Sequence, residues 1–139
     1  MIDKAGRLRR LDEHIYSQAR VYPTLADGVL VTGEAGAWGL SAGFTEIIPV
    51  NTIGSDFSIH YINVEGASVA DTYEIVLYAV ETEIGRARIT FIDISNSQTL
   101  PSVPFMCKVI PRNTQIQAKV ASKSGGADSI TISLSYHSH

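Results

Sequence analysis

The chain has 139 residues, of which 45% are hydrophobic and 18% charged, and its net charge is −3. A chain of this size can bury the core of one domain, and its composition is not that of a disordered protein. No apolar run approaches the roughly 20 residues of a membrane-spanning helix. The negative net charge disfavours a general nucleic-acid-binding protein. The first residues lack the apolar stretch of a signal peptide, and there is one cysteine. We therefore expect folding in a reducing compartment, without a disulfide framework.

Residues 1–22 carry five basic and three acidic side chains, a net charge of +2. Apolar residues recur there at spacings of three and four, which predicts a short amphipathic helix over about residues 4–20. Pro23 ends this helix, because the residue before a proline is pushed towards extended geometry. Such a short helix is marginal in water on its own. We expect it to act as an arm that contacts its own domain, another subunit or a larger assembly, through Arg7, Leu8, Arg9, Arg10, Leu11 and Ile15.

After Pro23 the helical period gives way to an alternation of apolar and polar residues. This alternation is typical of strands with one buried and one solvated face. In Phe57-Ser-Ile59-His-Tyr61, for example, it places the three named side chains on the buried face. The sequence predicts eight strands, at Val29–Thr32, Phe44–Val50, Phe57–Tyr61, Tyr73–Ala79, Arg86–Phe91, Phe105–Val109, Gln115–Val120 and Ile130–Tyr136.

Turn-forming residues separate these runs. Ser124-Gly-Gly-Ala-Asp128 lies between the last two strands and predicts a hairpin between residues 114–121 and 129–136. Eight short strands separated by turns predict an all-β fold. We expect an eight-stranded antiparallel, jelly-roll-like β-sandwich over residues 23–139, preceded by the helical arm of residues 1–22. An immunoglobulin-like sandwich is less well supported, because no cysteine pair flanks Trp38.

The sequence contains no nucleophile elbow, phosphate loop or dinucleotide-binding motif. We therefore predict no catalytic residue, no cofactor and no metal site. His137 and His139 would face the same side of a continuing strand, but without further ligands at metal-binding spacing they are interpreted as a frayed terminus. Cys107 alternates with Phe105 and Val109, and it is interpreted as a small core residue.

Trp38 and Tyr78 are the candidate interface or ligand aromatics. The alternation of its strand points Tyr78 towards solvent. Exposed aromatic side chains form sugar platforms in binding modules and anchors in protein interfaces. Core packing is the alternative interpretation for Trp38, as it is for Tyr61 and Tyr73.

Three stretches of the chain resemble small structural proteins of tailed-bacteriophage virions. They are WGLSAGFTEIIP at residues 38–49, YEIVLYA followed by EIGR at residues 73–86, and the block from Ile110 to His137 with its IPRNT turn and ADSI loop. The resemblance implies a jelly-roll capsid decoration, or cement, protein. Such a protein is typically a trimer that binds the major capsid protein or other virion subunits, often through an N-terminal arm. It also implies a virion location, with assembly in the host cytoplasm.

Three classes of function follow from these observations. The first is a non-enzymatic virion structural subunit. The alternative is a carbohydrate- or receptor-binding jelly-roll module of a tail fibre or baseplate. The third, an enzyme on a cupin-like or lyase-like sandwich, requires a cluster of inward-facing histidines and acids. Because the predicted inward positions are apolar, we expect no enzymatic activity.

Overall fold

The computed structural model describes residues 18–92 and 101–139 of the chain. These residues form nine β-strands joined by turns and loops. None of their segments is a helix of the length and apolar character required to cross a membrane. The strands are β1 (Ala19–Tyr22), β2 (Val29–Thr32), β3 (Thr45–Ile48), β4 (Phe57–Ala67), β5 (Thr72–Ala79), β6 (Thr82–Thr90), β7 (Ser102–Pro104), β8 (Ile116–Ser122) and β9 (Ser129–Ser138).

The strands form two antiparallel sheets. In the five-stranded sheet, β9 pairs with β4 on one side and with β1 and β2, one after the other, on the second side; β7 lies beyond β4. The four-stranded sheet has the order β3-β8-β5-β6.

The antiparallel partners are nested along the chain: β2 pairs with β9, β3 with β8, β4 with β7 and β5 with β6. A long hairpin paired in this way and wrapped into two facing sheets is a jelly roll. The predicted all-β sandwich is therefore confirmed. The described strands number nine rather than eight, because β1 and β2 share one edge position of the five-stranded sheet.

The core lies between the two sheets and is filled by alternating side chains of both. In β9, Ile130, Ile132 and Leu134 have no exposed surface. Full burial of an aliphatic side chain of this size contributes about 1.5–3 kcal/mol. The other large side chains that are fully buried are Phe57, Ile47, Ile48, Ile59, Ile62, Tyr73, Ile75, Leu77 and Ile116.

The predicted hairpin between residues 114–121 and 129–136 is wrong. β8 and β9 belong to different sheets, so the loop between them crosses from one sheet to the other. Alternation in the sequence identifies the buried face of each strand, but it does not identify the neighbouring strand.

The strand predicted at Phe105–Val109 is also wrong. The edge strand here is β7, and the chain leaves the sheet after it. Phe105 is still buried, whereas Val109 is 53% exposed. Cys107 is partly buried and packs against the core, so its position is closer to the predicted one.

The first described strand begins inside the predicted helix. Ala19 and Arg20 belong to β1, where Ala19 lies opposite His137. Pairing with β9 therefore overrides the helical spacing at these positions, and the sheet begins four residues before Pro23. Residues 4–17 of the predicted helix lie outside the described residues.

A bulge in β4 changes which of its side chains face the core. Its register with β9 shifts between Ile59 and Tyr61. Phe57 and Ile59 are buried before the shift, Ile62 and Val64 are buried after it, and Tyr61 is 46% exposed. The predicted burial of Tyr61 is therefore wrong, because the extra residue of a bulge reverses the alternation.

The turn between β5 and β6 offers a test of the fold. Ala79 pairs with Thr82, and both intervening residues have positive φ, 46° at Val80 and 65° at Glu81. This is a type I′ turn, in which asparagine is favoured and a β-branched residue is sterically strained. We expect Val80→Asn to raise the free energy of unfolding by about 1 kcal/mol in urea denaturation.

Val50 provides the matched control, because it is similarly exposed but does not adopt a positive φ. Val50→Asn is expected to leave stability within about 0.5 kcal/mol of the original protein. A Val80→Asn protein that is no more stable than the Val50→Asn protein would contradict the strain assigned to this turn.

Candidate functional site

The outer face of the four-stranded sheet is covered by parts of the chain itself. The loop of residues 33–44 lies against the end of β8, where the Trp38 N–H donates to the Ser122 carbonyl at 2.9 Å. Val76 lies between two core residues of β5 and so points outward, yet it has no exposed surface. Long side chains from the loop and from neighbouring strands therefore cover the middle of this face, while they remain partly exposed themselves.

Trp38 and Tyr78, the two predicted aromatics, both lie on this covered face. The guanidinium of Arg88 lies 4.4 Å from the Trp38 ring centroid. The predicted exposure of Tyr78 to solvent is wrong, because Tyr78 is 8% exposed. It makes an edge contact with Phe44 at 4.8 Å, and Lys119 Nζ lies 4.3 Å from the Phe44 centroid. Such cation–π contacts contribute about 0.5–2 kcal/mol each. A sugar that stacked on the Arg88 side of Trp38 would have to displace that cation.

An ion-pair network crosses the same face. Glu74 accepts from Arg88 Nε at 2.8 Å and from Arg86 Nη1 at 3.0 Å, and Arg86 Nη2 also pairs with Glu83 at 2.7 Å. The hydrogen bonds from Arg88 and then Arg86 hold the pKa of Glu74 below its ordinary value of 4.5. The hydrogen bond from Arg86 likewise lowers the pKa of Glu83.

A close backbone approach anchors the loop that carries Trp38. The Gly36 N–H donates to the Gly125 carbonyl at 2.8 Å. Gly125 has a φ of +76°, and a Cβ atom there would lie 2.1 Å from the Gly36 carbonyl carbon. Only glycine therefore allows these two loops to meet.

The outer face of the five-stranded sheet is different, because residues 18–92 and 101–139 leave a groove along it. Outward side chains of β4 and β9 make its floor, and β1 with the following turn makes one wall. Two concavities of about 310 and 400 Å³ lie along it. Their linings share no residue, but the β4–β9 register places Tyr61 and Ser135 of the first next to Asn63 and Ser133 of the second. We call this surface the outer groove; it is lined by Ala19, Val21, Pro23, Leu25, Ala26, His60, Tyr61, Asn63, Glu65, Ser102, Ser133, Ser135, Tyr136 and His137.

The middle of the outer groove is a hydrogen-bonded polar network. Asn63 Nδ2 donates to Ser135 Oγ at 2.9 Å and to Ser133 Oγ at 3.3 Å. Ser102 Oγ donates to Asn63 Oδ1 at 2.8 Å. These three bonds fix the orientation of the Asn63 amide.

Three histidines lie near one end of the outer groove. The ring centroids of His60 and His137 are 5.6 Å apart, and those of His137 and His139 are 6.0 Å apart. The end of the chain is held in place, because the His139 N–H donates to the Asp56 carbonyl at 2.8 Å. The interpretation of these residues as a frayed terminus is therefore wrong. Across residues 18–92 and 101–139, no three His, Cys, Asp or Glu side chains form a group that could hold a metal.

The lower end of the sandwich is formed by residues 49–56, 80–81, 105–115 and 137–139. Backbone hydrogen bonds join its loops; for example, the Val80 N–H donates to the Gln115 carbonyl at 3.2 Å. A concavity of about 360 Å³ opens beside it, lined by Ala79, Glu83, Ile84, Lys108, Val109, Ile110 and Pro111. The chain enters β1 at this end. The predicted arm residues Arg7, Leu8, Arg9, Arg10, Leu11 and Ile15 lie outside the described residues.

The strand order defines the class of this protein, a jelly-roll β-sandwich. No protein-family model and no curated protein matches the sequence. Among solved structures, it is similar to the carbohydrate-binding module CBM36, in complex with calcium and xylotriose. The identity is 14% and the TM-score 0.38, over 86% of this chain and 88% of the module.

The chain is also similar to chains from two structures of infectious bursal disease virus. For the Gt strain the identity is 16% and the TM-score 0.43, over 89% of this chain and 33% of the viral chain. For the VP2 subviral particle the identity is 24% and the TM-score 0.38, over 88% of this chain and 33% of the viral chain. This chain thus spans about one third of the viral chains that it matches.

The ion-pair network predicts a dependence of stability on pH. Because the pKa values of Glu74 and Glu83 are lowered by folding, the unfolded chain binds more protons just below pH 4.5. The stability contributed by these groups is present above that pH and is lost as the pH falls. We expect Glu74→Gln to flatten the fall in melting temperature between about pH 5 and pH 3.

Glu34→Gln, at an exposed carboxylate outside this network, serves as the control and is expected to follow the original protein across this range. If the melting temperatures of the Glu74 and Glu34 variants fall equally steeply with pH, the network is ruled out as a source of acid sensitivity.

The contact between Gly36 and Gly125 predicts a second stability effect. Gly125→Ala introduces a Cβ atom where the other loop lies and places an L side chain in the left-handed region. We expect it to lower the free energy of unfolding by at least about 1–2 kcal/mol. We also expect it to increase the solvent exposure of Trp38, which its fluorescence reports. Gly43→Ala, with open space at its Cβ position, is expected to change neither. Equal stability of the two variants contradicts the role of Gly125.

Proposed function

We propose that the chain is a non-enzymatic structural subunit of a virion, a decoration protein that binds the outer shell as a trimer. Its partners are then copies of itself and the major capsid protein or other virion subunits. Its location is the virion, assembled in the host cytoplasm. The proposal starts from the three stretches that resemble tailed-phage virion proteins, which fall in the covering loop with β3, in the β5–β6 hairpin, and in β8 and β9.

The observation that carries the proposal is a group of exposed valines at the lower end. Val50, Val80 and Val109 lie on three separate loops and are 59%, 61% and 53% exposed. The fold brings these loops to one end of the sandwich. Exposed apolar side chains on neighbouring loops of one surface can together form a protein contact site.

The position of the N-terminal segment supports the same end as the contact surface. Ala19 lies opposite His137, so the described part of the chain begins at the lower end. An arm that begins beside an apolar surface can bind the same shell as that surface. In a trimer, three such contacts act jointly, and linkage of this kind raises affinity by about 10²–10⁴.

The absence of enzymatic activity is part of the proposal, and the composition of the core supports it. Most buried residues of the described chain are aliphatic or aromatic, and the buried polar ones are Ser41, Gln117, Ser122, Asp128 and Ser133. A catalytic cupin-like sandwich would instead place histidines and carboxylates between its sheets. Among the described residues, the histidines with ring contacts lie near the outer groove and at the lower end.

Light scattering after size exclusion tests the proposed assembly. We expect the full-length protein to have the mass of a trimer. A variant of residues 18–139 is the appropriate truncation, because a start at Pro23 would remove β1 from the sheet. A monomeric full-length protein would contradict the proposed decoration trimer.

Co-sedimentation with virus capsids assembled without this chain tests the contact surface. We expect Val80→Asp and Val109→Asp each to weaken binding by about tenfold or more, since each places a charge in an apolar contact. Leu30→Asp is the control, because Leu30 is 60% exposed but lies on β2, away from the lower end. Equal binding by all three variants would exclude the lower end as the site of attachment.

A further inference from the structure

We propose that the outer groove binds a neutral carbohydrate chain. This site lies on the sheet opposite Trp38 and Tyr78, and its lining contains none of the exposed valines of the lower end, although His137 belongs to both surfaces. The inference therefore goes beyond virion attachment and does not rest on it.

The polar floor of the outer groove matches a ligand rich in hydroxyl groups. Ser135 accepts a hydrogen bond from Asn63, so its O–H can donate to another oxygen. Ser133 also accepts from Asn63, but it is 4% exposed and mainly orients the Asn63 amide. Ser102 fixes the opposite side of the Asn63 amide. The floor thus presents hydroxyl donors and acceptors that are already oriented, which lowers the entropy cost of binding.

Apolar surface lies beside this network, as the alternating C–H faces and hydroxyls of a sugar chain require. The Tyr61 side chain is 46% exposed because the β4 bulge turns it out of the core. On the wall, Val21 is 45% exposed and Leu25 is fully exposed. A pyranose ring can pack its C–H face on such side chains while its hydroxyls reach the floor.

The charges around the outer groove favour a neutral ligand. Within the described lining, Glu65 at one end and the histidines at the other are the ionisable side chains apart from two tyrosines. The Glu65 carboxylate accepts the Gly28 N–H at 3.2 Å, so it is already engaged. Along the stretch between these ends there is no side chain to neutralise a strongly charged ligand.

The backbone beneath the outer groove makes a sugar chain a better occupant than an extended peptide. β4 is paired with β9 and β7, and β9 is paired with β4 and with β1 and β2. An extended peptide gains affinity by adding to an open strand edge, and the paired stretches of these floor strands offer none. A ligand of the outer groove would therefore contact side chains and not a strand edge. The floor from His137 to Ser133 measures about 13 Å along β9. That length suits an oligosaccharide.

Binding to a glycan array tests this inference with the full-length protein. The array carries neutral, sialylated and sulfated oligosaccharides together with bacterial surface polysaccharides, and calorimetry measures affinity for the strongest hit. We expect a neutral glycan to bind. We expect Tyr61→Ala to weaken that binding about tenfold or more, and Leu25→Ser to weaken it in the same direction. Leu25 is fully exposed, so this second change leaves the core intact.

Trp38→Ala is the matched control, because Trp38 is an exposed aromatic on the opposite sheet. We expect it, and the lower-end variant Val80→Asp, to bind the glycan like the original protein. The inference is overturned if no glycan binds, if only charged glycans bind, or if Trp38→Ala abolishes binding while Tyr61→Ala retains it. None of these results affects the capsid test, so the two proposals fail separately.

Discussion

The pairing of β9 on both of its sides is the constraint on which the rest of the structure depends. β4 lies along one side, and β1 and β2 lie along the other. One set of its alternating side chains supplies Ile130, Ile132 and Leu134 to the core. The other set supplies Ser133 and Ser135 to the floor of the outer groove. The same strand therefore determines both the stability of the sandwich and the shape of its open face.

The sequence predicted the strand faces better than it predicted their neighbours. The alternation from Tyr73 to Ala79 and from Ile130 to Tyr136 corresponds to β5 and β9, and the inward residues of both are buried. Pairing between distant strands leaves no comparable local signal, which is why the final hairpin was predicted wrongly. The start of β1 was missed for a related reason, since Ala19 and Arg20 follow a helical spacing and become extended only by pairing with β9.

The candidate aromatics and the outer groove differ in how visible they are in the sequence. Trp38 and Tyr78 stand out by residue type, and the structure places both on one face. Asn63, Ser133 and Ser135 resemble any solvated face until the fold brings β4 beside β9. Tyr61 could have been found, because Ile62 and Val64 continue the apolar alternation one residue out of step with Phe57 and Ile59. That change of phase is the signature of a bulge.

Both edges of the five-stranded sheet are short. On one edge, the chain leaves β9 between β1 and β2, over residues 23–28, so the edge is interrupted by a protruding turn. On the other edge, β7 contains three residues. Neither edge offers a long row of unpaired backbone groups, the feature through which sheets recruit one another into aggregates. The five-stranded sheets of neighbouring copies therefore have little means of merging into one, and the longer exposed edge belongs to β6 of the other sheet.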